Sequence, residues 1–138
     1  MSFESTDDFQ QNLLIIKLTK SHIMHSMKNH VQLIGNLGRD IDIKETKTGK
    51  KYAKFSVATN ESYNNQTGEK VSDVQWHNVT AWGKTAEIMA KILAKGNEVA
   101  IEGRLTYNKY EDKEGVMKYT TDIVVNEFHK LTRSALPV

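Results

Sequence analysis

Two tryptophans, Trp76 and Trp82, stand in the stretch VSDVQWHNVTAWGK, residues 71–84, with Lys84 close behind them. A flat aromatic ring offers a π face to an unpaired base, and a nearby cation offers a charge to its phosphate. Together they supply what an unstacked nucleotide needs. Strand alternation decides whether the rings are available. It places Val74, Trp76, Asn78, Thr80 and Trp82 on one face and Gln75, His77, Val79 and Ala81 on the other. A core on the first face would bury Asn78 without an obvious partner, so that face reads as a wet surface carrying aromatic platforms. The competing assignment has both rings half-buried at a sheet edge or subunit contact, because tryptophan is often highly buried. On this stretch alone the two assignments weigh evenly.

Other chemistries find less support. Gly83-Lys84-Thr85 resembles the end of a phosphate-binding loop, but Asn78 occupies the position where that motif needs its first glycine. His77 and Asp73 share a strand with no nucleophile beside them. His22, His25 and His30 lack acids or cysteines at ligand spacing and read as solvated histidines, so no metal is expected. The chain has no cysteine, which excludes disulfides, thiolate metal sites and a cysteine nucleophile. No catalytic residue and no cofactor is expected.

The 138 residues suffice for one ordinary domain with a real core. Hydrophobic content is 38% and charged content 26%, which suits a small core under a polar surface. The net charge is only +2, and a polyanion partner would depend on where the cations sit rather than on their sum. The longest apolar run, Leu13 to Ile16, is far too short to span a bilayer. Glu4, Asp7 and Asp8 stand where a secretory signal would carry positive charge. These features lead to the expectation of a cytoplasmic protein with no membrane partner.

The elements that must position the aromatics follow from periodicity. Residues 1–27 lack caps, turn chemistry and a sustained period. They are expected to be a poorly ordered extension, with a short helix or strand at most over 13–18. A first strand is expected over 30–46, bent at Gly35 and Gly38 as at a bulge or barrel corner. A second covers 51–60, with Ala53, Phe55 and Val57 inward. ESYNNQTGEK, residues 61–70, reads as a polar loop containing Tyr63. The third strand is 72–82. Ala86, Met89, Ala90 and Leu93 recur at helical spacing, and Gly96 closes that helix. The fourth strand, 98–109, turns Val99, Ile101, Gly103 and Leu105 inward and Arg104, Thr106, Asn108 and Tyr110 outward. A loop at 111–115 leads to the fifth strand, 117–128. Five strands with one short helix between the third and fourth is the order of an all-β Greek-key barrel, the oligonucleotide-binding (OB) fold.

Specific stretches of sequence add to this pattern. NHVQLIGNLGRD, KFSVATNESY, VQWHNVTAWGKTAEI, LAKGNEVAIEGRLTYNKYEDKEG and YTTDIVVNE resemble the bacterial single-stranded DNA-binding protein family over roughly residues 28–128. The combination is highly specific, although GNLG alone would not be. The resemblance implies a binding domain over 28–131 that coats single-stranded DNA in replication, recombination and repair. It implies stacking by Tyr63, Trp76, Trp82 and Tyr110 and phosphate contacts from Lys54, Lys84, Arg104 and Lys109. Parity independently supports Trp76, Trp82 and Tyr110, whereas Tyr63 rests on the resemblance. The family is usually homotetrameric, and His77 matches a position at its subunit contact. The family's usual acidic, hydrophobic tail has no match in residues 132–138, so recruitment of repair proteins through a tail is not expected. An OB-fold primosomal-type bridging protein and a single-stranded RNA binder are the alternatives, and a nuclease would need metal ligands that are not evident.

Overall fold

The computed structural model describes residues 6–131, without the side chains of residues 18–26. The expectation for residues 132–138 lies outside the described residues. The chain divides into two compact units after His30.

In the first unit, helix α1 runs without a break from Thr6 to Lys28. It is longer than the short helix or strand expected over 13–18. Neither glycine nor proline interrupts the segment, and Asp7 and Asp8 favour its positive N-terminal end. Its apolar residues are adjacent in LLII rather than spaced on one stripe, so no amphipathic period announced it.

The second unit is built from strands β1 (Val31–Leu37), β2 (Lys44–Glu45), β3 (Lys51–Asn64), β4 (Lys70–Trp82), β5 (Glu98–Glu111) and β6 (Met117–Leu131), with helix α2 (Gly83–Ile92) between β4 and β5. The strand order is β1-β5-β6-β4-β3-β2, and an added β1–β3 pairing closes five of them into a barrel. β4 and β6 pair in parallel, and the other ladders are antiparallel. The expected Greek-key barrel is therefore present, with β2 as an added two-residue strand.

Alternation explains the core. Ala53, Phe55 and Val57 of β3, Val79 and Ala81 of β4, Val99 and Ile101 of β5, and Ile123 and Val125 of β6 are all buried inside. Leu37 and Ile41 join them from the first strand and the segment after it, and α2 contributes Ala86 and Met89. Burying one such aliphatic side chain stabilises a fold by roughly 1.5–3 kcal/mol relative to leaving it exposed. Leu93 ends α2, its N–H donating to the Met89 carbonyl at 2.9 Å.

Two boundaries differ from the sequence reading. The expected first strand stops at Leu37 instead of continuing through Ile43. Gly38 leaves the ladder and its N–H donates to the Ser56 carbonyl at 3.0 Å, which turns the chain away. The polar loop expected at 61–70 shortens to residues 65–69, because β3 and β4 continue as a long hairpin, while the loop expected at 111–115 is the turn of the long β5–β6 hairpin. Beyond the barrel both faces of the β3–β4 ribbon meet water, so the apolar-polar contrast that reveals a strand disappears. The turns themselves are short and alike. Asn65 Oδ1 accepts from the Thr67 and Glu69 N–H groups, and Asp112 Oδ1 from those of Glu114 and Val116. Gly68 and Gly115 follow with φ of 81° and 80°, the left-handed geometry that glycine adopts without a Cβ clash.

One surface ion pair ties α2 to the barrel: Lys51 Nζ lies 2.8 Å from Glu87 Oε1. The hydrogen bond from Lys51, and then its charge, holds the Glu87 carboxyl below its ordinary value of 4.5. A lowered carboxyl pKa gives stability that is present above the unfolded value and lost as pH falls through the folded one. Glu87→Gln is expected to lower the melting temperature slightly near neutral pH, and its difference from wild type should vanish in acid. A difference that persists at low pH would assign the effect to something other than this pair.

Candidate nucleic-acid interface

The ladder register places side chains from four strands in one row. Lys54 pairs with Thr80, Thr80 with Val124, and Val124 with Arg104. Because side chains alternate, all four point to the barrel's outer side, opposite Phe55, Val79 and Ile123. A cleft of about 490 Å³ lies over this row, walled also by Tyr52, Trp82, Asn108 and Asp122. A second hollow of about 290 Å³ shares Lys54, Thr80 and Asp122 and adds Arg39 and Asn78. Three cations therefore border a groove whose floor is largely neutral and polar.

Trp82 stands at one end of the groove, 44% exposed, with its ring centroid 5.3 Å from that of Tyr52 at a 35° tilt. Tyr52 is its cross-strand partner, so the register itself brings the rings together. Trp76, 61% exposed, shares this face of β4. A Cβ built on Gly38 would come within 2.7 Å of the Trp76 ring and 2.8 Å of Ser56 Oγ, so the bare glycine backbone makes room for the indole. Gly38→Ala is expected to leave the fold intact, since the ring can swing away. It should change Trp76 emission and weaken binding by about 1 kcal/mol, the lower end of one stacked base. Unchanged emission in that variant would remove Gly38 from this role.

The remaining sequence-chosen residues distribute unevenly. Tyr110, 49% exposed, lies on β5 with the parity of Arg104 and Asn108, so it faces the same way as the cleft. Tyr63, 57% exposed, lies on β3 with the parity of Phe55 and Val57, opposite to that of Lys54. Lys109 likewise has the parity opposite to Arg104 and pairs with Tyr119. Lys84 is exposed in the first turn of α2, and neither hollow includes it. His77 lies on the face opposite Trp76 and is hydrogen-bonded, Nε2 to Thr59 Oγ1 at 2.9 Å.

Three charged or aromatic residues of the groove were missed by sequence reasoning. Arg39 Nη2 donates to the Lys54 carbonyl at 2.8 Å, which anchors its guanidinium beside the Lys54 backbone. It follows Gly38, where the alternation that would have assigned its face breaks down. Tyr52 was detectable, since it shares parity with Lys54 and sits opposite Trp82. Asp122 sits beside Ile123 in a segment noted for its apolar weight, and its parity with Val124 was the available signal. Among the described residues no group of His, Asp and Glu side chains is arranged to hold a metal ion. No described helix is long and apolar enough to cross a membrane.

A closed barrel of five strands, carrying a polar aromatic groove across its face, defines an OB-fold protein. The model of the Single-strand binding protein family matches residues 28–131, and the chain belongs to that family. The single-stranded DNA-binding protein of Neisseria meningitidis serogroup A is 43% identical over 103 residues, which cover 75% of this chain and 59% of the relative. Single-stranded DNA-binding protein 1 of Chlorobaculum tepidum is 40% identical over 104 residues, covering 75% and 64%. The match thus spans about three fifths of those relatives' length. Among solved structures, the Plasmodium falciparum SSB complex with ssDNA aligns at a TM-score of 0.67 with 32% identity, covering 75% of this chain and 95% of that one. A deletion mutant of the Thermus aquaticus single-stranded DNA binding protein aligns at 0.67 with 25% identity, covering 77% and 51%.

Proposed function

We infer that this chain coats single-stranded DNA without strong sequence preference and without catalysing a reaction on it. The observation that carries this reading is the row Lys54–Thr80–Val124–Arg104 beneath Trp82, with Trp76 and Tyr110 facing the same way. Bases stack on the rings at roughly 1–3 kcal/mol each. Phosphates meet Lys54, Arg104 and Arg39 and release counterions, so affinity falls as salt rises. Lys84, Lys109 and Tyr63 would extend the path as the strand leaves the groove and wraps onto neighbouring surfaces. The family relationship and the likeness to the Plasmodium SSB complex with ssDNA support the same ligand.

The reading includes a cytoplasmic, nucleoid-associated homotetramer acting in replication, recombination and repair. His77 and Thr59 lie on the face away from the tryptophans, where a subunit contact leaves the groove open. Light scattering tests both parts. The free chain is expected at four times its monomer mass at micromolar concentration, and a long oligothymidylate should gather tetramers onto one strand. It should remain uncut when magnesium is present. A monomer mass, or no complex at low salt, would overturn the corresponding part.

A further inference from the structure

Asp122 is the only acid among the described residues lining the two hollows, and it is just 8% exposed. Its Oδ2 accepts from Asn108 Nδ2 at 2.8 Å and from Thr120 Oγ1 at 3.2 Å. Its main-chain carbonyl accepts from Thr106 Oγ1 at 3.1 Å. No described residue donates to Oδ1, and no described cation forms an ion pair with the carboxylate. No described side-chain polar atom is both fully enclosed and unpartnered, so Oδ1 opens onto the groove rather than being sealed in protein. Water reaches that oxygen from the groove, and a bound group that supplies an N–H can take the water's place and keep the hydrogen bond, whereas a group that presents an oxygen loses it.

The chemistry of a DNA strand narrows which group that is. A phosphate is repelled by the carboxylate and has Lys54, Arg104 and Arg39 to meet instead. The deoxyribose lacks a 2′-hydroxyl, which leaves the edge of a base. An exocyclic amine donates to a carboxylate, as when Asp or Glu accepts from cytosine N4. Thymine and uracil offer only the N3–H, set between two carbonyl oxygens that the anion disfavours. Resting on the single-stranded DNA reading above, we propose that Asp122 Oδ1 accepts a hydrogen bond from the exocyclic amine of a base seated in the groove. Asp122 thereby creates one subsite that favours cytosine over uracil or thymine within otherwise general binding.

The test compares oligodeoxycytidylate with oligodeoxyuridylate of equal length, whose rings differ in the amine against the carbonyl and in the proton on N3. Asp122→Asn can keep the acceptor for Asn108 and Thr120 while its NH2 group replaces Oδ1. The preference for the cytidylate over the uridylate, taken as a ratio of affinities, is expected to fall about fivefold or more in this variant. A general gain from removing one negative charge scales both ligands alike and cancels in the ratio. An unchanged ratio overturns the proposal and leaves Asp122 as a brace for Asn108 and Thr120. If the variant does not fold by circular dichroism, the wild-type chain decides. Oligocytidylate with two methyl groups on each N4 should bind about fivefold or more weakly than the unmodified strand, and equal binding overturns the inference. Failure of the wild type to bind any of these oligonucleotides removes the underlying reading, and this one with it.

Discussion

Replacing Trp76 and Trp82 together by alanine is expected to weaken binding of oligothymidylate by roughly 2–6 kcal/mol, one stacked base being worth about 1–3 kcal/mol for each ring. The lower bound corresponds to about a thirtyfold rise in Kd. Both rings are exposed and lie outside the core, which Val79 and Ala81 supply from the other side of the strand, so the barrel should survive their loss. Trp82→Ala also removes the Tyr52 ring contact, which adds a modest stability cost visible in the melting curve. A folded double variant with wild-type affinity would show that DNA takes another path. Stacking on a ring tolerates exchange among aromatics, so Trp82→Phe is expected to retain most of the affinity that Trp82→Ala loses.

The largest stability effects are expected at two glycines that carry no function of their own. A Cβ on Gly103 would lie 2.1 Å from the Val124 carbonyl oxygen, and one on Gly35 would lie 2.2 Å from that of Ala58. Both neighbours are backbone, held in ladders, and cannot swing aside as the Trp76 ring can. Gly35 sits where β1 leaves β5 for β3, and Gly103 beside the register shift between β5 and β6. An alanine there must either open the ladder or crush the contact, at about 3 kcal/mol or more, the upper range of overpacking. Gly49→Ala separates space from backbone conformation. Nothing lies within 4 Å of its Cβ position, but its φ is +87°, so only the left-handed penalty of about 1–2 kcal/mol applies. Chemical denaturation of Gly103→Ala, Gly35→Ala and Gly49→Ala measures the contrast. Equal losses at all three would mean that close approach does not shape the barrel.

The barrel was legible wherever one face of a strand was apolar and the other wet. Ala53, Phe55 and Val57, like Val99 and Ile101, alternate cleanly, and the structure buries each of them. Legibility ended where that contrast ended. Tyr63 stands in a ribbon whose two faces are both solvated, so residues 61–64 resembled a loop although they extend β3. The β5–β6 hairpin around Tyr110 stayed legible, because alternation carries through its strands and a polar turn separates them. Helix α1 was hidden for the opposite reason, its apolar residues clustering in LLII without a stripe. In the groove, alternation within one strand grouped Trp76, Thr80 and Trp82. It does not carry information about which residue of another strand lies alongside. The row from Lys54 to Arg104 depends on register, and the parallel β4–β6 pairing that completes it joins segments far apart in the chain. Arg39 and Asp122 entered the groove through that long-range geometry.

Trp76 and Trp82 are the only tryptophans of the chain, and both belong to the proposed stacking surface. Titrating the protein with oligothymidylate while following tryptophan emission therefore tests the central claim with little ambiguity. The expected result is a saturable quench, with an apparent affinity that falls steeply and log-linearly as salt is raised. Duplex DNA of the same length should compete poorly. Emission that stays constant while an independent method records tight binding would place the DNA elsewhere on the molecule and contradict the account.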